Sequence, residues 1–263
     1  MTEFRRILLD GYPIQVVRDG ENLVAGDGRV VAIKDAVHLP PVEPTKIIAV
    51  HLNYDSRTKE FMTKLPPAPT YFHKPVTALN SHNAAVVRPA GLKWLNYEGE
   101  IVIVIGKTCR NISPEEAGDY IAGYTIMNDL SARDIIRLER REGNLLMGKM
   151  FEGFAPLGPW MVTADEIPDP MNLRIRTRVN GELRQDGHTG DMIWSIAKLI
   201  AYLSQMRLDP GDIISTGTPS GTGLGRKKTE APWWLNVGDV LESEIESIGS
   251  LRNRIVAETP PGS

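Results

Sequence analysis

The sequence predicts a β-rich α+β protein, and three observations lead there. Short apolar runs bounded by turn dipeptides recur, as with Ile14–Val17 between Asp10-Gly11 and Asp19-Gly20. Strand patterns outnumber helical ones and do not alternate regularly with them, which argues against a doubly wound sheet and an eightfold α/β barrel. The 263 residues are 41% hydrophobic and 24% charged, an ordinary globular balance. A chain of that length buries roughly three quarters of its unfolded surface without staples.

Residues 3–37 read as short strands joined by the turns Asp10-Gly11, Asp19-Gly20 and Asp27-Gly28. Pro40, Pro41 and Pro44 form a stiff connector, giving a boundary between a small N-terminal β region (1–45) and a main domain (46–263). Lys46–Val50 is a buried strand. Residues 55–69 are polar, end in Leu-Pro-Pro-Ala-Pro, and are expected as an irregular, mobile loop. Ile101–Ile105 is a central strand stopped by Gly106. Ser113-Pro114-Glu115-Glu116 has the form of a capping box with Pro at the first helical position, so a helix is expected there. A short strand ends at Met127, and a charged helix spans Asp134–Arg141. Leu173, Ile175, Thr177 and Val179 alternate with Arg174, Arg176 and Arg178, a half-buried strand with the arginines on its wet face, and Asn180-Gly181 turns it into a hairpin. Asp191 is expected to cap a helix carrying Ile193, Ile196, Ala197, Ile200 and Leu203 at helical spacing. Pro210-Gly211-Asp212 leads into a strand at 213–215, and Val237-Gly238-Asp239 into a last pair reaching Val256.

Several function classes drop out. With 30 basic and 33 acidic residues the net charge is −3, which provides no field to gather nucleic acid or an anionic membrane. Cys109 is the sole cysteine, so an intramolecular disulfide and a cysteine-cluster metal site are out. No apolar run approaches the ~20 residues of a membrane span, and the start Met-Thr-Glu-Phe-Arg-Arg lacks a signal peptide's apolar core. A cytoplasmic protein is expected.

Four segments can carry chemistry. In Glu98-Gly99-Glu100 the two acids share a strand face. They read either as a solvated strand start or as a cation site, since adjacent buried carboxylates need compensation. Asp129 reads as a turn cap or as a third carboxylate. Three carboxylates would form an all-oxygen site for Mg²⁺, Mn²⁺ or Ca²⁺, and the histidines show no zinc spacing. Lys149, among Gly, Pro and apolar residues, is a snorkelling lysine or a site cation. Thr216–Gly223 is a glycine-rich loop after a strand with neither a phosphate-loop nor a dinucleotide fingerprint. It is a plain turn or a backbone approach to a ligand, with Thr218 as donor. The Gly-x-Ser-x-Gly elbow is absent.

Six motifs then occur in order: Asn53-Tyr54, Tyr71-Phe72-x-Lys74-Pro75, Tyr97-Glu98-Gly99-Glu100, Gly123-Tyr124-x-x-x-Asn128-Asp129-x-Ser131-Ala132-Arg133-Asp134, Lys149-x-Phe151-x-x-Phe154-x-Pro156-Leu157-Gly158-Pro159 and Thr216-Gly217-Thr218-Pro219-x-Gly221. Across residues 46–256 the chain resembles the fumarylacetoacetate hydrolase family. The resemblance implies a mixed β-roll, a homodimer, and Mg²⁺ or Mn²⁺ held by Glu98, Glu100 and Asp129. It marks Lys149 as the catalytic lysine beside the metal, and Tyr54, Arg133, Lys149 and Thr218 as substrate-binding. Its members take 2-oxo or 2-hydroxyenoic acids and break a C–C bond by hydrolysis or decarboxylation, or move a double bond.

Two departures shape the expected reaction. Hydrolytic members resemble Asn-Tyr-x-x-His-x-x-Glu, where a His–Glu pair on a lid activates water. This chain keeps Glu60 but has Arg57 at the histidine position. A guanidinium stays protonated and is no general base. Arg57 is expected instead to clamp a substrate carboxylate, with Glu60 left as a candidate base. Ile136 stands where hydrolases often carry a substrate-binding glutamine. Both changes favour decarboxylation or keto–enol and double-bond isomerisation through a metal-stabilised enolate over hydrolysis of an acylpyruvate or 2,4-diketo acid.

Overall fold

The computed structural model describes residues 3–142, 147–225 and 233–259. Tight turns fold the N-terminal stretch into β1 (Glu3–Leu9), β2 (Tyr12–Asp19), β3 (Asn22–Ala25), β4 (Val30–Ala32) and β5 (Val37–Leu39). The first two turns place Asp10, Gly11 and Gly20 at positive φ, as two-residue hairpins of right-handed twist demand. Ile7, Val16, Leu23 and Ala25 form a small core of their own. β1 also pairs with a strand of the body, so this region is hydrogen-bonded into the main sheet.

The body contains β6 (Ile47–His51), α1 (Asp55–Phe61), β7 (Thr70–Lys74), β8 (Leu79–Ser81), β9 (Ala85–Arg88), β10 (Leu95–Asn96), β11 (Gly99–Ile105), β12 (Ile121–Asn128), β13 (Ser131–Ala132) and α2 (Arg133–Glu139). It continues with α3 (Met147–Met150), β14 (Ala155–Thr163), β15 (Arg174–Val179), β16 (Glu182–His188), α4 (Ile196–Leu203), β17 (Ile213–Ser215), β18 (Val240–Ile245) and β19 (Gly249–Ala257). Among the described residues the large mixed sheet runs β4-β3-β2-β1-β14-β12-β11-β17-β6-β7, and a second sheet runs β16-β15-β18-β19-β9. β11 is buried along its whole length, as its β-branched run demands. Ile101, Ile103, Ile105 and Ile126 of the large sheet, Ile175 and Ile245 of the second, and Leu199 and Ile200 of α4 share one core.

The hairpin at Asn180-Gly181 and the wet arginine face are present: Arg174 donates twice to Asp186, at 2.7 and 2.6 Å. Three expectations change. Residues 55–61 form a helix, and only 63–69 are irregular. Tertiary partners hold this short helix rather than an apolar stripe, which is why periodicity misses it. At Ser113 half of the capping box forms, with the Ser113 amide donating to Glu116 at 2.8 Å. The segment beyond it, Ala117–Tyr120, is a 3₁₀ turn and not an α-helix. Ser195, not Asp191, caps α4 and accepts from the Lys198 amide at 3.4 Å, while Asp191 ends a preceding 3₁₀ turn.

Candidate active site

The site forms where the start of β11 meets the end of β12. The Asp129 amide donates to the Glu98 carbonyl at 2.9 Å, so the two acids sit opposite each other beyond the last ladder pair, Gly99 with Asn128. Gly99 separates the two glutamates for a steric reason. A Cβ there would lie 2.3 Å from Thr177 Oγ1 and 2.7 Å from Ser243 Oγ, so the second sheet closes over the strand only at a glycine. Period-two geometry then sends Glu98 and Glu100 to the same side. One carboxylate oxygen from each of Glu98, Glu100 and Asp129 lies within 4.8 Å of the other two. All three acids are buried.

Two lysines compensate the cluster. Lys149, on α3, donates to Glu98 at 2.7 Å and to Asp129 at 2.5 Å. Its descent into the site requires Gly148, since a Cβ there would lie 2.3 Å from Ile136 on α2. Lys74, the last residue of β7, donates to Asp129 at 2.8 Å and to the Lys149 carbonyl at 2.5 Å. Glu100 has neither lysine. It accepts from Ser215 Oγ at 2.5 Å and the Gly217 amide at 3.0 Å.

The electrostatics mirror that asymmetry. Burial works against ionisation of Glu98, but Lys149 and Arg57 outweigh it and hold its carboxyl at about 2. Burial, reinforced by the charges of Asp129 and Glu98, pushes Glu100 well above the carboxylate range. Lys149 is raised because its two carboxylates overcome its burial, whereas burial lowers Lys74. An all-oxygen acidic triad with one member driven toward protonation fits a hard divalent cation, which would supply the missing positive charge.

Each remaining candidate has a definite place. Thr218 lines the cavity, but its hydroxyl donates to the Gly99 carbonyl at 2.9 Å and accepts from Gln185 at 2.8 Å. Arg133 and Ile136 also line the cavity, Ile136 as an apolar wall. Tyr54 is fully buried in the main core and is not among the cavity-lining residues. Arg57 is buried. It pairs with Glu60, donates to Thr222 Oγ1 at 2.6 Å, stacks 4.0 Å from the Phe61 ring centre and approaches Glu98 at 3.6 Å. The other Glu60 oxygen accepts from the Gly221 amide at 3.0 Å. Arg57 therefore locks α1 onto the glycine-rich loop through Nη1, which is bonded to both Glu60 and Thr222, while its side chain also lines the cavity.

Sequence reasoning does not assign Lys74, Ser215, Gln185, His51 or Arg140 to the site. The signal for Lys74 is its place in the motif Tyr71-Phe72-x-Lys74-Pro75, on one strand face with Phe72, and the structure buries both.

The fold and the triad define a β-rich enzyme class with an all-oxygen cation site. Residues 46–256 match the family described as Fumarylacetoacetate (FAA) hydrolase C-terminal, and the chain belongs to the fumarylacetoacetate hydrolase family. It is 41% identical over 254 residues to the Homoprotocatechuate catabolism bifunctional isomerase/decarboxylase of Escherichia coli, covering 96% of this chain and 55% of that protein. Thus the chain spans about half of that relative. The crystal structure of 2-hydroxyhepta-2,4-diene-1,7-dioate isomerase from Mycobacterium marinum superposes with a TM-score of 0.84 at 32% identity, over 100% of both chains. Maleylpyruvate hydrolase from Sphingobium sp. SYK-6, solved with manganese(II) and pyruvate, superposes at 0.80 with 27% identity, over 97% of this chain and 100% of that one. No helix among the described residues is long and apolar enough to cross a membrane.

Proposed function

We propose that this enzyme uses Mg²⁺ or Mn²⁺, held by Glu98, Glu100 and Asp129, to decarboxylate or isomerise a 2-oxo or 2-hydroxyenoic acid of aromatic catabolism through an enolate. The observation that carries the reading is the convergence of the three buried carboxylates, with Lys149 bridging two of them. The bound ion supplies a Lewis acid for the oxygen on which charge develops.

The chain's own residues do the rest. Lys149 keeps its proton between Glu98 and Asp129 and adds fixed positive charge beside that oxygen. Lys74 holds Asp129 in place. Ile136 and Phe72 give the cavity an apolar wall beside the charged cluster. Glu60 is paired with a permanently charged arginine, so it faces no histidine with which to activate water. That favours decarboxylation or isomerisation over C–C hydrolysis of an acylpyruvate, a fumarylpyruvate-like acid or a 2,4-diketo acid. The reading also includes a β-roll catalytic domain after residue 45, a homodimer and a cytoplasmic location.

A panel of 2-oxo and 2-hydroxyenoic acids with Mg²⁺ or Mn²⁺, followed by mass spectrometry, tests it. Metal-dependent CO₂ or an isomer is expected. Two carboxylic fragments would establish the hydrolase instead, and full turnover in metal-free protein would overturn the metal site.

A further inference from the structure

The cavity beside the triad measures about 30 Å³, room for an ion and roughly one water. A substrate must therefore extend beyond it. Two larger cavities adjoin. One of about 420 Å³ is walled mainly by His51, Leu52, Phe61 and Leu224. The other, of about 600 Å³, is walled by the tryptophans Trp94, Trp233 and Trp234 and by arginines of the α2 segment. Among the described residues, Arg140 is the one that lines all three.

The guanidinium of Arg140 is uncommitted in a way that Arg57 is not. Among the described residues no carboxylate lies within 4.0 Å of it, and its side-chain hydrogen bond is to the His51 ring, with Nη2 3.0 Å from Nε2. Arginine has only donors, so His51 Nε2 accepts and its ring is neutral with the proton on Nδ1. Burial first, then the charge of Arg140, lowers His51 to about 4, so it stays neutral near pH 7. On the preceding helix α2, Asp134 accepts from the Lys93 amide through one carboxylate oxygen, and Glu139 accepts from the amides of Met147 and Gly148. Arg140 is thus pinned by a neutral acceptor, and among the described residues the rest of its fork has no hydrogen-bond partner.

We infer that Arg140, positioned by His51, is the specificity residue that holds a second carboxylate at the far end of the substrate. This rests on the enolate reading and deepens it: the substrate is a 2-oxo dicarboxylate whose middle crosses the apolar wall of Leu52, Phe61 and Leu224. A planar carboxylate matches a guanidinium fork in two hydrogen bonds, where an ammonium offers a point charge.

Calorimetric titration of the Mn²⁺-loaded protein with 2-oxoadipate and with 2-oxohexanoate, equal in chain length, reads the clamp. Deuterium exchange at C3 of the same acids, followed by NMR, reads enolate formation separately. The dicarboxylate should bind about 10- to 100-fold more tightly than the monocarboxylate. Arg140→Ala should abolish that preference without weakening the monocarboxylate, and Arg140→Lys should restore it in part. Arg137→Ala, which alters only the outer cavity, should leave it within about twofold. Equal binding of the two acids by wild type overturns the clamp. So does a preference that survives Arg140→Ala, or one lost equally in Arg137→Ala. Preferred binding without C3 exchange overturns the enolate reading and leaves the clamp standing; binding of neither acid overturns both.

Discussion

Lys74 Nζ sits 2.8 Å from Asp129 Oδ1, with both side chains sealed from solvent. Lys149 takes the other oxygen of the same carboxylate. Each oxygen of Asp129 thus has its own ammonium, which fixes the carboxylate plane. Removing one member of a buried pair leaves an uncompensated charge, typically a loss of about 3–5 kcal/mol. Lys74→Met should therefore lower the stability of the metal-free protein by that order, and Mn²⁺ should recover part of it by supplying positive charge. Thermal melts with and without the ion check this. A variant as stable as wild type without metal would show that Lys74 does not compensate the cluster.

Glu100 predicts the opposite behaviour. Burial and its two acidic neighbours favour its protonated form when no cation is present. Glu100→Gln copies that form and retains acceptance from Ser215 and Gly217, so the metal-free melting temperature should hardly change. Ion binding at 100 times Kd stabilises wild type by about 2.7 kcal/mol, roughly 5–10 °C for a chain of this size. In Glu100→Gln the Mn²⁺-induced shift should fall below about a quarter of that. An undiminished shift would remove Glu100 from the metal site.

These two residues also mark what is legible in the chain. Glu98, Glu100 and Asp129 can be read because strand periodicity aligns the first two and the family's motifs supply the third. Lys149 stands out as a charge within an apolar, glycine-rich segment. Arg57 reads as a substrate clamp because sequence does not reveal that its Nη1 is already bonded to both Glu60 and Thr222. Helix α1 escapes the pattern because its stability comes from those same contacts. The start of α4 is misplaced by four residues because Asp191 and Ser195 are equally good caps, and only packing of Ile196 and Leu199 decides between them. Arg140 becomes visible only when three cavities can be seen to share one wall.

Arg57 itself now predicts a structural effect. It ties α1 to Thr222 on the glycine-rich loop and caps the ring of Phe61. Arg57→Ala should raise amide exchange across Asp55–Phe61 and cost about 3 kcal/mol, since Glu60 is left without its counter-charge. Its effect on kcat/KM should be similar, within about threefold, for mono- and dicarboxylates. A loss confined to dicarboxylates would return the clamp to Arg57.

The last prediction concerns acid stability and the join between β5 and the body. The His38 and His82 rings meet edge to face at 5.4 Å, and His82 Nδ1 accepts from the Arg252 amide at 3.2 Å. Burial first, then His38, Arg5 and Arg252, lower His82 to about 4, and burial and Arg5 lower His38 as well. The unfolded chain takes up a proton on each histidine near pH 6.5. Above that pH both states are neutral and nothing is lost. Between about 6.5 and 4 the unfolded state binds the proton and the folded state does not, so stability falls as pH falls. Below 4 both states are protonated and the contribution of His82 levels off. The full span corresponds to on the order of 3 kcal/mol for His82. His82→Asn keeps an acceptor for the Arg252 amide but cannot titrate, so its stability should decline less steeply across this window in urea denaturation at stepped pH. If the variant and wild type lose stability in parallel from pH 6.5 to 4, His82 is not the group that titrates.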